Sequence, residues 1–244
     1  MKITFLGTSH GYAEKNQFQS STLIEVNGIS YIIDAGAPIE YQFVNLGKDF
    51  NSIRNIFITH AHLDHTGCLP SIITPFLRFR YNENCKVFLP DEKMKDALCS
   101  WMEFNTVIPE KLFSTVKFDT VKEGLILDDG NIKVTAIRTR HMSGEIHNSF
   151  GYILDDGEKK VLLTGDIGYD FNDYENVTKG KYDLVICEMA HGKLSDVWEM
   201  MARTNTKKML INHYYKPQIE GYEQIFRKFP FDIQLTSDNM EVIV

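Results

Sequence analysis

The stretch Ile56-Phe57-Ile58-Thr59-His60-Ala61-His62-Leu63-Asp64-His65 decides how the rest of this chain is interpreted. The apolar residues that precede the histidines predict a short buried strand. Because alternate residues of a strand share a face, His60 and His62 can point the same way. Asp64 and His65 follow where we expect the chain to turn. Three imidazoles and a carboxylate at a strand end predict a site for a borderline metal ion such as zinc.

The alternative is a polar loop that is rich in histidine by chance. The chain has eight histidines in 244 residues, and three of them fall within six positions of this stretch. Such clustering is typical of metal sites and favours ligands over an idle loop.

Composition limits the number of domains and the cellular location that we expect. The chain is 43% hydrophobic and 24% charged, which fits one large globular domain over residues 1–244. No hydrophobic run is long enough to span a membrane. The first residues resemble a strand and are too few for a signal peptide, so we expect a cytoplasmic protein. The four cysteines are scattered, without the spacing of a metal or disulfide framework.

The net charge of −7 limits the partners. A general binder of long nucleic acid normally presents a basic face, and this chain has 26 basic against 33 acidic residues. The negative net charge is compatible with a small anionic substrate, because bound metal ions can make the electrostatic potential at the site positive. The sequence leaves a homodimer open.

Further polar residues follow apolar strands along the chain. His141, Asp166 and His213 each come at or just after the carboxyl end of such a strand, where α/β layers place their sites. Asp34 also ends a strand; it could be a further ligand, but we favour a buried aspartate that braces a nearby loop. Strands with interleaved helices in two successive halves predict two sheets packed face to face and covered by helices.

One segment, about residues 71–120, is predicted to be a helical insertion. Within it a helix from residue 91 to about 104 is amphipathic, and helical spacing assigns Met94, Leu98, Trp101 and Met102 to the core. Residues 106–127 are less clear, with short strands expected around residues 114–118 and a turn after them at Asp128-Asp129-Gly130. We expect this insertion and the loop of residues 142–148 to line the substrate pocket.

The string His-x-His-x-Asp-His, with the later His, Gly-Asp and His, resembles the metallo-β-lactamase fold superfamily. The resemblance covers nearly the whole chain, from Phe5-Leu6-Gly7-Thr8 to His213. It implies a four-layer αββα sandwich of two mixed β-sheets flanked by helices, in the α/β (α+β) class. It also implies two metal ions, the first held by His60, His62 and His141, the second by Asp64, His65 and His213, with Asp166 bridging both.

One ligand has a competitor. His141-Met142-Ser143-Gly144 resembles the family's His-Thr-Pro-Gly turn, and His141 directly ends its strand, which favours it. His147 is the alternative, because the segment before Gly151 is longer than in many members.

Such a site has a defined chemistry. A water held between two divalent ions falls in pKa towards ~7 and becomes a bridging hydroxide nucleophile. Asp64 could orient this water or accept its proton. His/Asp ligands accept Zn²⁺, which we expect first, and also Mn²⁺, Fe²⁺ or Ni²⁺.

The pattern is closest to the ribonuclease Z and phosphodiesterase branch. Asp183-Leu184-Val185-Ile186-Cys187-Glu188, followed by His191, resembles the region that in that branch protonates the leaving oxygen. That likeness makes His191 the acid and Glu188 the residue that steers it, while the alternative for His191 is a surface residue at a helix start. Only about 24 residues separate His141 from Asp166, which leaves no room for the long tRNA-binding arm of ribonuclease Z.

The sequence therefore predicts a dinuclear metallohydrolase that acts on a small anionic phosphodiester. A hydrolase of esters, thioesters or lactones with the same fold is the enzymatic alternative. The alternative from another class is a binding protein that the metal stabilises without catalysis.

Overall fold

The computed structural model describes residues 1–12, 14–79, 85–104, 116–142 and 147–244. Within them the chain forms two β-sheets of seven strands each. The strands of the first sheet are β1 (Lys2–Gly7), β2 (Ser21–Val26), β3 (Ile29–Ile33), β4 (Ile53–Phe57), β5 (Lys86–Leu89), β6 (Lys117–Thr120) and β14 (Glu241–Ile243). Their order across the sheet is β14-β1-β2-β3-β4-β5-β6, with antiparallel pairs up to β3 and parallel pairs beyond it.

The second sheet has the same mixture of pairings. Its strands are β7 (Gly124–Asp128), β8 (Lys133–Arg138), β9 (Phe150–Asp155), β10 (Lys160–Leu163), β11 (Leu184–Met189), β12 (Lys208–Tyr214) and β13 (Asp232–Leu235). They lie in the order β13-β12-β11-β10-β9-β8-β7, antiparallel from β7 to β10 and parallel from β10 to β13. Parallel neighbours end at the same edge, so each sheet presents several carboxyl ends together.

The described helices cover the outer faces of the two sheets. They are α1 (Ile39–Asn45), α2 (Leu63–Thr66), α3 (Leu69–Phe79), α4 (Glu92–Glu103), α5 (Tyr174–Val177), α6 (Leu194–Met201) and α7 (Tyr222–Phe226). Residues of α1, α3 and α4 pack on the first sheet, and residues of α5 and α6 pack on the second. None of the helices within the described ranges is both long and apolar enough to cross a bilayer.

A third apolar cluster lies between the sheets and joins them. Phe57 and Phe88 of the first sheet stack at 4.7 Å between ring centroids, and Tyr152 of the second sheet lies 5.6 Å from Phe57. The Tyr152 hydroxyl also donates a 2.6 Å hydrogen bond to the carbonyl of Ile58. These contacts fix the end of β4 against the second sheet, which brings the histidine stretch to the junction of both sheets.

The αββα sandwich predicted from the sequence is confirmed by these layers. Two local predictions are wrong. Asp64 and His65 lie in the short helix α2 and not in a turn, and Trp101 is exposed while Leu98 and Met102 of the same helix are buried. The unclear part of the sequence contains β6, which pairs with β5, and most of β7, which pairs with β8. The assignment of residues 1–244 to one domain stays a prediction.

Candidate metal centre

Four of the residues singled out in the sequence form one tight group. They are His60, His62, His141 and Asp166, each with a ligand-type atom within 4.8 Å of the others. The Nδ1 atom of His62 lies 3.0 Å from Nε2 of His60 and 3.1 Å from Nε2 of His141. The Oδ2 atom of Asp166 is 3.7 and 3.6 Å from the same two Nε2 atoms.

Three more residues form a second group beside it: Asp64, His65 and His213. Oδ2 of Asp64 lies 3.4 Å from Nε2 of His65 and 3.6 Å from Nε2 of His213. Asp166 adjoins this group as well, with Oδ1 at 3.5 Å from His65 Nε2 and Oδ2 at 3.4 Å from His213 Nε2. Its carboxylate therefore lies between the two groups.

Divalent metal ions fit these residues. Nε2 of His65 and Oδ1 of Asp166 are buried without a hydrogen-bond partner, although a buried polar atom normally has one. The separations of 3.4–3.7 Å between the histidine nitrogens and carboxylate oxygens are too long for hydrogen bonds. They match the edge of a tetrahedron whose corners lie ~2.1 Å from a metal ion, which is about 3.4 Å. A bound metal ion would give these unpaired nitrogen and oxygen atoms a partner at the distances observed.

Electrostatics favour the metal-binding forms of several of these side chains. Burial, together with the nearby imidazoles, lowers the pKa of His60 well below its usual value and that of His141 to about 4. Burial raises the pKa of Asp64, but the charge of the neighbouring His65 outweighs it and brings the pKa to about 2. The pKa of Asp166 is also well below normal, because its surrounding histidines outweigh its burial. Neutral imidazoles and ionised carboxylates are the forms that bind metal.

A buried hydrogen-bond network orients the histidines from behind. Because a carboxylate only accepts, Nδ1–H of His65 donates to Oδ2 of Asp34 at 2.7 Å, which leaves Nε2 facing the cluster. Thr59 donates its backbone N–H and its hydroxyl to Asp34, and its Oγ1 lies 3.0 Å from Nδ1 of His60. The interpretation of Asp34 as a brace is confirmed by these contacts. Such partners fix the tautomer and orientation of metal-binding histidines.

The turn after Asp34 holds helix α2 at very short range. A Cβ atom on Gly36 would lie only 1.7 Å from the backbone oxygen of Asp64. The backbone N–H of Ala35 donates to the carbonyl of His65 at 2.7 Å. A side chain at position 36 would thus push away the helix that carries Asp64 and His65.

His213 is held in a strained conformation at the end of β12. Its φ is +46°, a region that non-glycine residues rarely adopt. Its Nδ1–H donates to the carbonyl of Ser9 at 2.9 Å, which directs Nε2 at Asp64 and Asp166. A strained backbone conformation persists only where the surrounding contacts enforce it, and such residues are common at functional sites.

Glu188 and His191 form a pair at the edge of the cluster. Nδ1 of His191 donates to Oε1 of Glu188 at 3.0 Å and lies 3.8 Å from Oδ2 of Asp166. Burial lowers the pKa of His191, but the hydrogen bond and charge of Glu188 outweigh it and raise the pKa to about 9. Glu188 also accepts from the backbone N–H groups of Ile167, Ala190 and His191, so the carboxylate is firmly placed.

The structure brings His141 to the cluster and leaves His147 outside it. His141 is buried, whereas the His147 side chain is 54% exposed and lies 3.6 Å from Asp91. All seven sequence-predicted ligands converge: His60, His62, Asp64, His65, His141, Asp166 and His213. Their role as ligands stays a proposal.

A cavity of about 280 Å³ opens beside the cluster. Its wall includes Asp166, His191 and His213 and also three tyrosines, Tyr12, Tyr169 and Tyr215. Sequence reasoning missed these tyrosines, because single aromatic residues in loops carry no pattern. The expected pocket-lining segments are absent from its described wall, but residues 80–84, 105–115 and 143–146 fall outside the described residues.

Comparison with known proteins agrees with this geometry. The family model described as "Anti-Pycsar protein Apyc1" matches residues 1–231. An anti-Pycsar protein Apyc1 of Bacillus phage vB_BsuM-Goe3 is 25% identical over 197 residues, which are 69% of this chain and 68% of the phage protein. The metallo-β-lactamase fold protein YhfI of Bacillus subtilis superposes with a TM-score of 0.78 at 14% identity, over 99% of this chain and 98% of YhfI.

Ribonucleases Z also match, over part of their length. That of Bradyrhizobium diazoefficiens is 26% identical over 166 residues, covering 66% of this chain and 52% of the ribonuclease. The chain thus spans about half the length of this curated relative. The expected likeness to the ribonuclease Z branch of the metallo-β-lactamase fold is confirmed by these matches.

The network behind His65 leads to a prediction about metal affinity. Asp34→Asn keeps the volume of the side chain but removes the charge and one acceptor, so Thr59 and His65 can no longer both be satisfied. We expect zinc affinity to fall about 10- to 100-fold, measured by competition with a chelating dye. The control is Asp129→Asn, which makes the same change at a carboxylate that bonds Tyr31 and Asn131 away from the cluster. Equal affinities in the two variants would contradict the role of Asp34.

Proposed function

The chain belongs to the anti-Pycsar protein Apyc1 family, and from that premise we propose that it is a metal-dependent hydrolase of a small anionic phosphodiester. The substrate is cyclic or otherwise nucleotide-derived, and two divalent ions serve the reaction. One observation carries the proposal: seven side chains with ligand atoms converge in two adjoining groups that share the carboxylate of Asp166. Paired divalent ions are a common solution for the in-line displacement at phosphorus.

Two sets of residues would hold the two ions. His60, His62 and His141 would hold one, Asp64, His65 and His213 the other, and Asp166 both. When bound, the ions supply Lewis acidity towards the phosphoryl oxygens and a water of lowered pKa. Imidazole and carboxylate donors suit zinc first, and manganese, iron and nickel also.

Two further roles, accepting a proton and donating one, fall to Asp64 and His191. Asp64 is ionised and reaches the cavity wall, where it can orient the attacking water or accept its proton. The oxygen of that water bonds to phosphorus as the bond from phosphorus to the leaving oxygen breaks. His191 faces the same cavity and can donate a proton to this leaving oxygen, while Glu188 holds its ring through Nδ1. The reaction leaves a phosphomonoester and a hydroxyl group, which stay in one molecule when the phosphodiester is cyclic.

Size and charge support a small substrate over a long nucleic acid. The chain carries a net charge of −7, and the cavity of about 280 Å³ lies near the lower end of roughly 300–1,000 Å³ for small-molecule sites. The segment between His141 and Asp166 contains the pair β9 and β10. A phosphodiester of one nucleotide fits these dimensions better than a structured RNA.

A substrate panel tests the proposal. The purified protein, loaded with zinc or manganese, is offered a 3′,5′-cyclic nucleotide, bis(p-nitrophenyl) phosphate, a thioester and a lactone, with products separated by chromatography. We expect the two phosphodiesters to be hydrolysed with a kcat/KM at least about tenfold above the other two substrates. Faster hydrolysis of the thioester or lactone would assign the site to acyl chemistry, and binding of metal without any turnover would indicate a non-catalytic protein.

A further inference from the structure

Three tyrosines cluster at the cavity beside the metal centre. Tyr12, Tyr169 and Tyr215 are 79%, 67% and 40% exposed, and all three line the cavity that also contains Asp64 and Asp166. Single exposed aromatic residues are ordinary on a protein surface. Three exposed tyrosines around one cavity that contains the reactive groups form an aromatic surface, and such surfaces often mark a binding site.

Packing fixes one of these rings beside His191. The ring of Tyr169 meets that of His191 edge-on, at 5.7 Å between centroids and 87° between planes. The backbone N–H of Asp170 donates to the carbonyl of His191 at 3.0 Å, which ties the same segment down. Tyr169 is therefore positioned next to the group that would protonate the leaving oxygen.

The other two rings are supported by His10. This histidine is buried, with its ring centroid 4.7 Å from that of Tyr215 and 5.8 Å from that of Tyr12. Its Nε2 lies 3.6 Å from the carboxylate of Glu14, which also accepts from Lys216 at 3.1 Å. The segments that carry Tyr12 and Tyr215 are thus linked through the buried ring of His10 and the exposed ion pair of Glu14 and Lys216.

The charges on the cavity wall limit the class of ligand that can bind against the tyrosine rings. Among the described residues that line it, none is lysine or arginine. A polyphosphate or an RNA backbone, which needs several cationic contacts, has no such partners there. An anionic phosphate would bind at the metal centre, and the tyrosines offer flat, uncharged rings to the remainder of such a substrate.

We propose that Tyr12 and Tyr169, supported by His10 and Tyr215, form a stacking site for the nucleobase of a mononucleotide phosphodiester bound at the metal centre. This rests on the proposed phosphodiesterase function and names its substrate as a nucleoside cyclic phosphate. Aromatic side chains stack on the π-face that every nucleobase has, without needing hydrogen bonds to its edges. The tyrosines determine specificity for a base-bearing substrate and take no part in the bond-breaking step.

Binding measured without turnover tests this site separately from catalysis. Calorimetry follows two hydrolysis-resistant probes: a 3′,5′-cyclic nucleotide phosphorothioate and the same ribose cyclic phosphorothioate with a methoxy group in place of the base. For Tyr169→Ala and for Tyr12→Ala we expect Kd for the nucleotide probe to rise about tenfold, and Kd for the base-free probe to change less than about twofold. Tyr169→Phe keeps the ring and should retain affinity. Tyr41→Ala, an exposed tyrosine on α1, is the matched control.

The outcomes separate this inference from the proposed function. If both alanine variants bind the two probes with unchanged or equally weakened affinity, the stacking site is wrong, even where the wild-type protein hydrolyses phosphodiesters. If Tyr169→Ala discriminates between the probes but the wild-type protein hydrolyses neither cyclic nucleotides nor bis(p-nitrophenyl) phosphate, the stacking site stands and the proposed function fails.

Discussion

Replacing Asp166 with alanine should lower kcat/KM for phosphodiester hydrolysis by at least about 1,000-fold. The carboxylate lies within 3.8 Å of five histidines and adjoins both ligand groups, so its loss removes an anionic donor from each group at once. It also leaves buried imidazoles without their charge partner. The measurement is steady-state hydrolysis of bis(p-nitrophenyl) phosphate by the metal-loaded protein.

The control for Asp166→Ala is Asp155→Ala, at the far end of the β9–β10 pair. Asp155 forms an exposed ion pair with Lys160 and contacts no member of the cluster. We expect its kcat/KM to stay within about twofold of wild type, because exposed ion pairs contribute little. An Asp166→Ala variant that keeps more than a tenth of wild-type activity would contradict the shared role of Asp166.

Replacing His191 with alanine should reduce kcat about 100-fold for a 3′,5′-cyclic nucleotide and less than about tenfold for bis(p-nitrophenyl) phosphate. An alkoxide needs a proton as it leaves, whereas p-nitrophenolate is already a stable anion, so only the first substrate depends on a general acid. The ratio of the two losses separates proton donation from a structural effect, which would lower both rates equally.

Two further variants sharpen the test of His191. Glu188→Gln keeps a group that can contact Nδ1 but removes the charge, and we expect a smaller loss with the same dependence on the leaving group. His147→Ala changes an exposed histidine beside Asp91 and should leave both rates unchanged. An equal loss on both substrates in His191→Ala would make His191 a positioning residue only.

The sequence was sufficient to predict the framework of the site because its signals are local. Each of His60, His141, Asp166 and His213 lies at or close after an apolar strand, and carboxyl ends of parallel strands meet at one edge. The αββα layers follow from the same alternation of strands and helices. The histidine string adds a resemblance that predicts which residues share a metal.

The remaining features depend on tertiary contacts that no short stretch encodes. Trp101 has the spacing of a core residue, yet the first sheet buries only Leu98 and Met102 of α4. Asp64 lies in helix α2 and not in the predicted turn, and the close approach of Gly36 and the hydrogen bond from Ala35 hold this helix in place. Tyr12, Tyr169 and Tyr215 come from three segments that are distant in the sequence and line one cavity only in the folded chain.

The count of metal ions per chain tests the central claim most directly. Protein prepared with excess zinc and then freed of loosely bound ions is analysed by elemental mass spectrometry against a measured protein concentration. The two groups that share Asp166 predict two zinc ions per wild-type chain, and one or fewer in Asp166→Ala. A wild-type count of one or none under these conditions would contradict a dinuclear centre.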